Sequence, residues 1–193
     1  MTPRLIALAD TSPRPWRNGG GVTRELLAWP EGVDWRVRVS VAEIAADGPF
    51  SVFPGVERWF AVLEGGGVAL TIAGTEHRCR AGDAPLSFAG EAPVDCRLLQ
   101  GPSRDLNLML RGTPGAMRPV VDGGAWAPPA RRCGLYALVA GRCRADATTT
   151  DIPAGNLAWF DAAPVTMSFQ PESPAGKPVS AWWLAADAEE PDA

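Results

Sequence analysis

The sequence predicts an all-β chain assembled from two related units, and three observations carry that expectation. Its 21 glycines and 19 prolines make up about a fifth of the 193 residues, against about an eighth in an average protein, which fits many short strands joined by tight turns. Apolar residues recur in alternating or continuous runs between Gly, Pro and Asp, and no long stretch carries helical spacing with capping signals. The third observation is an internal echo. Phe60-Ala61-Val62-Leu63-Glu64-Gly65 returns as Tyr136-Ala137-Leu138-Val139-Ala140-Gly141. Ala81-Gly82-Asp83, followed by Phe88 and Pro93-Val94, returns as Ala154-Gly155-Asn156, followed by Phe160 and Pro164-Val165. Two β-units of 1–112 and 113–184 follow from the spacing.

Leu5 to Ala9 is the longest apolar run near the N-terminus, far short of a signal-peptide core or the roughly 20 residues that span a bilayer, so a cytoplasmic protein is expected. From Trp35 to Ala42 the chain alternates, with Arg36, Arg38 and Ser40 on one face and Val37, Val39 and Val41 on the other, as a strand with one polar face requires. Glu43 to Asp47 reads as one helical turn, broken by Gly48-Pro49. Asp105, Asn107, Met109 and Arg111 share one face of a further strand, with Leu106, Leu108 and Leu110 on the other. Thr113 to Arg132, rich in Gly, Pro and Arg, reads as a connector crossing the surface. Ala185 to Ala193, small and acidic, reads as a disordered tail.

Composition excludes several partner classes. A net charge of -4 with no block of Lys and Arg argues against nucleic acid and against an anionic membrane. The four cysteines, Cys79, Cys96, Cys133 and Cys143, include no CxxC pair, so reduced, packed thiols are expected rather than a redox or zinc centre. Neither GxGxxG nor GxxxxGK cradles a phosphate here, and no G-x-S-x-G elbow presents a serine nucleophile.

A strand ending in Gly, a second strand, Gly-Asp, and then an apolar strand reaching a Pro resembles a cupin-like β-barrel, and two copies resemble a bicupin. Metal-dependent cupins need two or three histidines and a glutamate facing inward. This chain has one histidine, His77, in the polar hairpin segment Thr75-Glu76-His77-Arg78, and a surface position is expected for it. Glu57-Arg58 occupies the neighbourhood where the cupin histidines lie, and an arginine there repels a divalent cation and invites an anion. No metal and no cofactor are expected.

Pro15-Trp16-Arg17-Asn18-Gly19-Gly20-Gly21-Val22-Thr23-Arg24-Glu25-Leu26 is the densest local signature. Two readings stand: backbone N–H groups freed by the glycines approach a ligand, or a Gly-rich bulge bends an edge strand with Trp16 packed beneath it. This block resembles the N-terminal signature of the HutD/Ves family. The same pattern continues through Arg38 to Ala42, through Asp47-Gly48-Pro49-Phe50-Ser51 with Phe53-Pro54-Gly55, and through Arg104 to Met109, covering a little over half of the chain. The resemblance implies a bicupin, and a role tied to histidine utilisation in relatives whose genes sit in that operon.

The polar face beginning at Asp105 is read as a pocket wall, with a solvent-facing strand as the other reading. In the pocket reading Arg17, Arg38 or Arg58 takes a ligand carboxylate, Asn18 and Asn107 read an amide or imine, and Asp105 accepts from a cationic N–H. Gly19, Gly20, Thr23 and Ser40 complete the candidate ligand-binding set. The leading expectation is a non-catalytic, metal-free protein that senses or buffers a small acidic metabolite, for which the resemblance suggests urocanate or formiminoglutamate. The alternative is a metal-independent isomerase or lyase with Asp105 or Glu57 as acid or base. Against that alternative stands the expectation that a carboxylate beside arginine has a lowered pKa and is a weak base. A ligand-free scaffold is a third reading, in which a homodimer uses Trp182-Trp183-Leu184 as its contact patch.

Overall fold

The protein is described here from a computed structural model covering residues 2–120, 124–172 and 179–189. Its strands are β1 (Arg4–Ala7), β2 (Arg14–Pro15), β3 (Gly21–Trp29), β4 (Val37–Ile44), β5 (Gly48–Pro49), β6 (Val56–Gly65), β7 (Val68–Ile72), β8 (Thr75–Cys79) and β9 (Leu86–Ala89). They continue as β10 (Val94–Leu98), β11 (Ser103–Arg111), β12 (Gly115–Val120), β13 (Arg132–Ala137), β14 (Gly141–Ala145), β15 (Thr148–Ile152), β16 (Asn156–Phe160), β17 (Met167–Pro171) and β18 (Ala181–Ala186). A single 3-10 turn, Leu8–Asp10, is the one helical element among the described residues. None of them forms a helix long and apolar enough to cross a membrane.

The chain divides into two compact units, Thr11–Gly112 and a second made of Met1–Asp10 with Thr113–Ala193. The first ten residues, expected with the N-terminal unit, belong to the other one because β1 pairs antiparallel with β16, Arg4 opposite Trp159 and Ala7 opposite Asn156. The Thr11–Gly112 unit has a six-stranded sheet ordered β2-β3-β4-β11-β6-β9 and a four-stranded sheet ordered β5-β10-β7-β8. The other unit has a five-stranded sheet, β1-β16-β13-β18-β12, and a three-stranded sheet, β15-β14-β17. Two antiparallel sheets per unit make a cupin-like jelly roll whose sheets stay open at their edges.

The internal echo corresponds to repeated pairing. β6 pairs with β9 and β11, β7 with β8 and β10; in the second unit β13 pairs with β16 and β18, β14 with β15 and β17. The match ends at the residue level. Phe60 and Val62 face the interior of the first unit, with Leu70, Val94 and Cys96. On β13 it is Cys133, Leu135 and Ala137 that face the interior, with Phe160, Phe169 and Trp183. Strand alternation therefore turns Tyr136, the counterpart of Phe60 by sequence, to the opposite face.

Four further expectations are corrected. Glu43 and Ile44 continue β4, and Glu43 pairs with Val22 and Arg104, so cross-strand pairing displaces the expected helical turn. The connector is partly sheet: Gly115–Val120 forms β12 against β18, while residues 121–123 lie outside the described residues. The C-terminal segment is packed through Ala188, which is 1% exposed, and Arg131 holds Asp187 and Glu189 at 3.5 and 3.0 Å; residues 190–193 lie outside the described residues. Trp182, Trp183 and Leu184 are buried in β18, with Trp183 stacked on Trp126 at 5.0 Å, and so offer no exposed contact patch. All four cysteines are free and buried. His77 is half-buried on β8, opposite Leu70, with exposed Glu76 and Arg78 beside it.

Candidate ligand-binding site

The first unit encloses a cavity of about 480 Å³, within the range that holds small metabolites. Its floor is polar and buried. β4 contributes Arg38, Ser40 and Ala42, β6 contributes Arg58, and β11 contributes Asp105, Asn107 and Met109. These are adjacent antiparallel strands, with Asn107 opposite Ser40 on one side and Phe60 on the other, and Met109 opposite Arg38 and Arg58. The period of two, set by the leucines on the far face, places every second residue of β11 on the floor. Two bulges frame it, one on β6 opposite Arg104 and Asp105 and one on β3 between Glu25 and Leu27; each inserts a residue and re-aims its neighbours.

A chain of hydrogen bonds crosses the floor. Arg58 Nη2 donates to Asn107 Oδ1 at 2.9 Å, and Asn107 Nδ2 donates to Asp105 Oδ1. Arg58, Asn107 and Asp105 are 6%, 5% and 1% exposed, so each has exchanged water for these few contacts. Two polar atoms of the floor remain without a partner, Nε of Arg58 and Oδ2 of Asp105, and both belong to side chains that line the cavity. The Arg58 guanidinium also lies 5.1 Å from the ring centres of Phe50 and Phe88 and 5.8 Å from that of Phe53, a setting that favours a cation.

Burial dominates the protonation of both groups. It pushes the Asp105 carboxyl up to about 7, against the opposing pull of Arg58 and of the Asn107 hydrogen bond. This overturns the expected lowering beside arginine: desolvation of a carboxylate with one donor outweighs a cation that is not in direct contact. Burial also lowers Arg58 to about 10, with Asp105 opposing and Arg38 assisting, so Arg58 remains a cation at neutral pH.

The walls and mouth come from the chain between β2 and β3 and from the segment after β5. Trp16 donates from Nε1 to Thr23 Oγ1 at 2.8 Å and meets Phe50 edge-on with ring centres 6.0 Å apart. Arg14, Arg17, Asn18 and Ser51 line the cavity from exposed positions. Arg38 is held by Glu25 across 2.6 Å and also reaches Met109 Sδ at 3.7 Å.

Of the residues expected from sequence, Arg17, Asn18, Thr23, Arg38, Ser40, Arg58, Asp105 and Asn107 line this one cavity. Gly19 and Gly20 do not. The Gly19 N–H is spent on Trp16 O at 3.0 Å and that of Gly20 on Asn18 Oδ1 at 3.1 Å, so neither backbone donor is left for a ligand. The glycines instead shape a turn. Gly19 adopts φ +72°, and a Cβ on Gly21 would stand 2.4 Å from Glu43 O and 3.2 Å from Trp16. Glu57 also lies elsewhere, opposite Ala89 and Leu110 and on the face of β6 away from Arg58. Arg111, at the end of β11, stacks on Trp35 at 4.4 Å rather than reaching the floor. Sequence reasoning missed Trp16, Glu25, Phe50 and Phe53 as site residues, although all four fall in the blocks that carry the family resemblance. Among the described residues no three His, Cys, Asp or Glu side chains gather as a metal-binding group.

The HutD family model matches residues 8–173. The chain belongs to the HutD family. Among relatives, the protein Ves of Citrobacter koseri is 44% identical over 98 residues, 50% of this chain and 51% of Ves. A 21.2 kDa uncharacterized protein of Pseudomonas putida from the hutC 3′ region is 39% identical over 110 residues, 55% of this chain and 57% of its own length. The chain thus spans about half the length of the curated relatives it matches. Among solved structures, a conserved protein of unknown function from Pseudomonas aeruginosa PAO1 superposes with a TM-score of 0.84 at 26% identity, covering 96% of this chain and 98% of that one. HutD of Pseudomonas fluorescens SBW25 gives 0.80 at 23% identity, covering 95% and 97%. Oxalate decarboxylase of Bacillus subtilis, at a TM-score of 0.65, 10% identity and coverage of 96% and 77%, shares the fold alone.

Proposed function

We propose that this HutD-family chain binds a small anionic metabolite in the cavity of its first unit, as a sensor or buffer that leaves the ligand unchanged. The observation that carries the reading is the buried Arg58 guanidinium on the cavity floor, with Nε unpartnered. Arg14, Arg17, Arg38 and Arg58 line the cavity, while Glu25 engages Arg38 and Asp105 is the acidic group on the floor. The site is cationic inside a chain of net charge -4, and a buried guanidinium gains most by pairing with a carboxylate. Trp16, Phe50 and Phe53 supply flat apolar walls, and Asn107 and Asp105 supply hydrogen-bonding groups for a nitrogen function at the other end. Urocanate and formiminoglutamate combine a carboxylate with nitrogen groups in this way, and the hutC neighbourhood of the P. putida relative supports a histidine-utilisation intermediate.

A specific observation favours a second reading. A carboxyl raised to about 7 is well matched to acid–base work at neutral pH, so a metal-independent isomerase or lyase would use Asp105 with Arg58 as its anion stabiliser. Glu57, on the other face of its strand, has no part in it. The test is a thermal-shift and calorimetric series with urocanate, formiminoglutamate, glutamate and histidine, each followed by NMR of the ligand. Binding of one of the first two without change of the ligand is expected. Conversion of the bound compound would establish the second reading, and absence of binding by all four would overturn the first.

A further inference from the structure

We propose that binding in this cavity is proton-linked through Asp105: when an anionic ligand settles against Arg58, Asp105 takes one proton from solvent onto Oδ2 and offers that O–H to an acceptor atom of the ligand. The inference rests on the anion-binding reading above.

The geometry assigns this to one atom. Oδ1 of Asp105 is occupied by Asn107 Nδ2, whereas Oδ2 has no partner although Asp105 lines the cavity and is 1% exposed. A bare carboxylate oxygen in that position is costly, and a carboxyl O–H with a ligand acceptor in front of it removes the cost. The surroundings leave few other means of compensation. Across the sheet Asp105 faces Ala42 on β4 and Val62 on β6, both apolar. From β10, Cys96 is a neutral thiol, its own pKa pushed up to about 12 by burial first and by Asp105 second. The cations that face the floor are Arg58, reached through Asn107, and Arg38, which is already engaged by Glu25; Arg14 and Arg17 stand at the mouth.

A ligand carboxylate against Arg58 spends the counter-charge that now offsets Asp105 and adds a second negative charge nearby. Both effects disfavour ionised Asp105. Burial, opposed by Arg58 and by the Asn107 hydrogen bond, holds Asp105 close to half-protonated near neutral pH, so the added anion shifts the balance to the protonated form. Affinity is therefore greatest at low pH and falls as pH rises from about 7 to the higher pKa of the complex, by about tenfold for each pH unit within that window.

The test is isothermal calorimetry with urocanate at pH 8 in two buffers of different ionisation enthalpy, on the wild-type protein and on Asp105→Asn. Protonation of the probe itself contributes to both proteins, so the difference isolates Asp105. The wild type is expected to take up about half to one proton more per ligand than the variant, and its affinity to fall more steeply between pH 6.5 and 8.5. Equal proton uptake would overturn the linkage while leaving the anion site intact. Should Asp105→Asn not bind, infrared difference spectra of the wild type with and without urocanate at pH 8 decide: a new carboxylic-acid C=O band supports the proposal and its absence overturns it. A wild type that binds none of urocanate, formiminoglutamate, glutamate and histidine even at pH 6.5 would instead overturn the anion-site reading itself.

Discussion

The buried carboxyl on the cavity floor makes the stability of the protein depend on pH in a direction opposite to that of most aspartates. An aspartate paired in the native state has a depressed pKa and stabilises the fold above its unfolded value. Asp105 has instead been raised from the ordinary 3.8 to about 7 by burial. The folded state binds the proton more tightly than the unfolded one, so the penalty for Asp105 is absent below pH 3.8, builds between about 4 and 7, and is complete above 7. The displacement of about three pH units corresponds to about 4 kcal/mol at pH 8, of which about 1 kcal/mol is already present at pH 4.5. Asp105→Asn keeps the shape and the carbonyl that accepts from Asn107 but cannot ionise. Relative to wild type, it should gain about 3 kcal/mol of stability between pH 4.5 and pH 8. Urea denaturation of both proteins at the two pH values measures this change. Any constant cost of the extra amide N–H cancels in the comparison, and Arg58, with a pKa of about 10, stays charged throughout. A stability difference that does not change with pH, or a wild type that gains on the variant as pH rises, would refute the account of a desolvated, under-partnered carboxylate.

Four other outcomes follow from the same contacts. Arg58→Met keeps an unbranched stem among Phe50, Phe53 and Phe88 but removes the buried cation, and urocanate affinity measured by calorimetry should fall by about 1.5–3 kcal/mol, tenfold or more. Glu25→Gln releases Arg38 from its ion pair and removes a negative charge beside the cavity, so anion affinity should rise a few-fold at low salt, with a steeper salt dependence than wild type. Gly21→Ala drives a Cβ to within 2.4 Å of Glu43 O, and denaturant titration should show a loss of about 1–3 kcal/mol from overpacking. The thiols of Cys79, Cys96 and Cys143 are raised by burial to about 11, 12 and 12, so a thiol reagent at pH 8 should leave the native protein unmodified and react only on unfolding. Rapid modification of the folded chain would contradict the packing described.

Much of this architecture is legible because period-two patterns report directly on which face a side chain takes. The alternation through Asp105, Asn107 and Met109, and through Arg38 and Ser40, already places those residues on one wall, and the structure brings the two walls together as neighbouring strands. What the pattern does not carry is depth. Both faces of β11 are buried, with Leu106, Leu108 and Leu110 at 1% or less and Asp105, Asn107 and Met109 at 5% or less, so polarity alone reports neither that Asp105 has left water nor that its pKa rises rather than falls. The glycines show a different limit. Three in a row are consistent with an open backbone or with a tight turn, and only the donors and acceptors of Trp16, Asn18 and Gly20 decide between them. Chain termini are a third: β1 and the end of β18 find partners far away in sequence, and local composition carries no trace of that pairing.

The repeat also explains why the site sits where it does. On β6 the residues turned to the interior are Arg58, Phe60 and Val62, and the neighbours of Arg58 across the sheet are Met109 and Phe88. On β13, the strand with the same pairing in the second unit, the interior residues are Cys133, Leu135 and Ala137, and Cys133 lies between Ala185 and Phe160. There Phe160, Phe169 and Trp183 fill the space with apolar volume, and Trp126 packs against them. A small residue flanked by large apolar ones gives a closed core, whereas a long buried cation among aromatic rings is compensated best by an anion beside it. The inward residues of β13 are all uncharged, whereas those of β6 include the buried Arg58. In the first unit the hollow is lined by groups whose hydrogen-bonding capacity the protein leaves unfilled, Nε of Arg58 and Oδ2 of Asp105, and a ligand that satisfies both would supply the partners that the fold withholds.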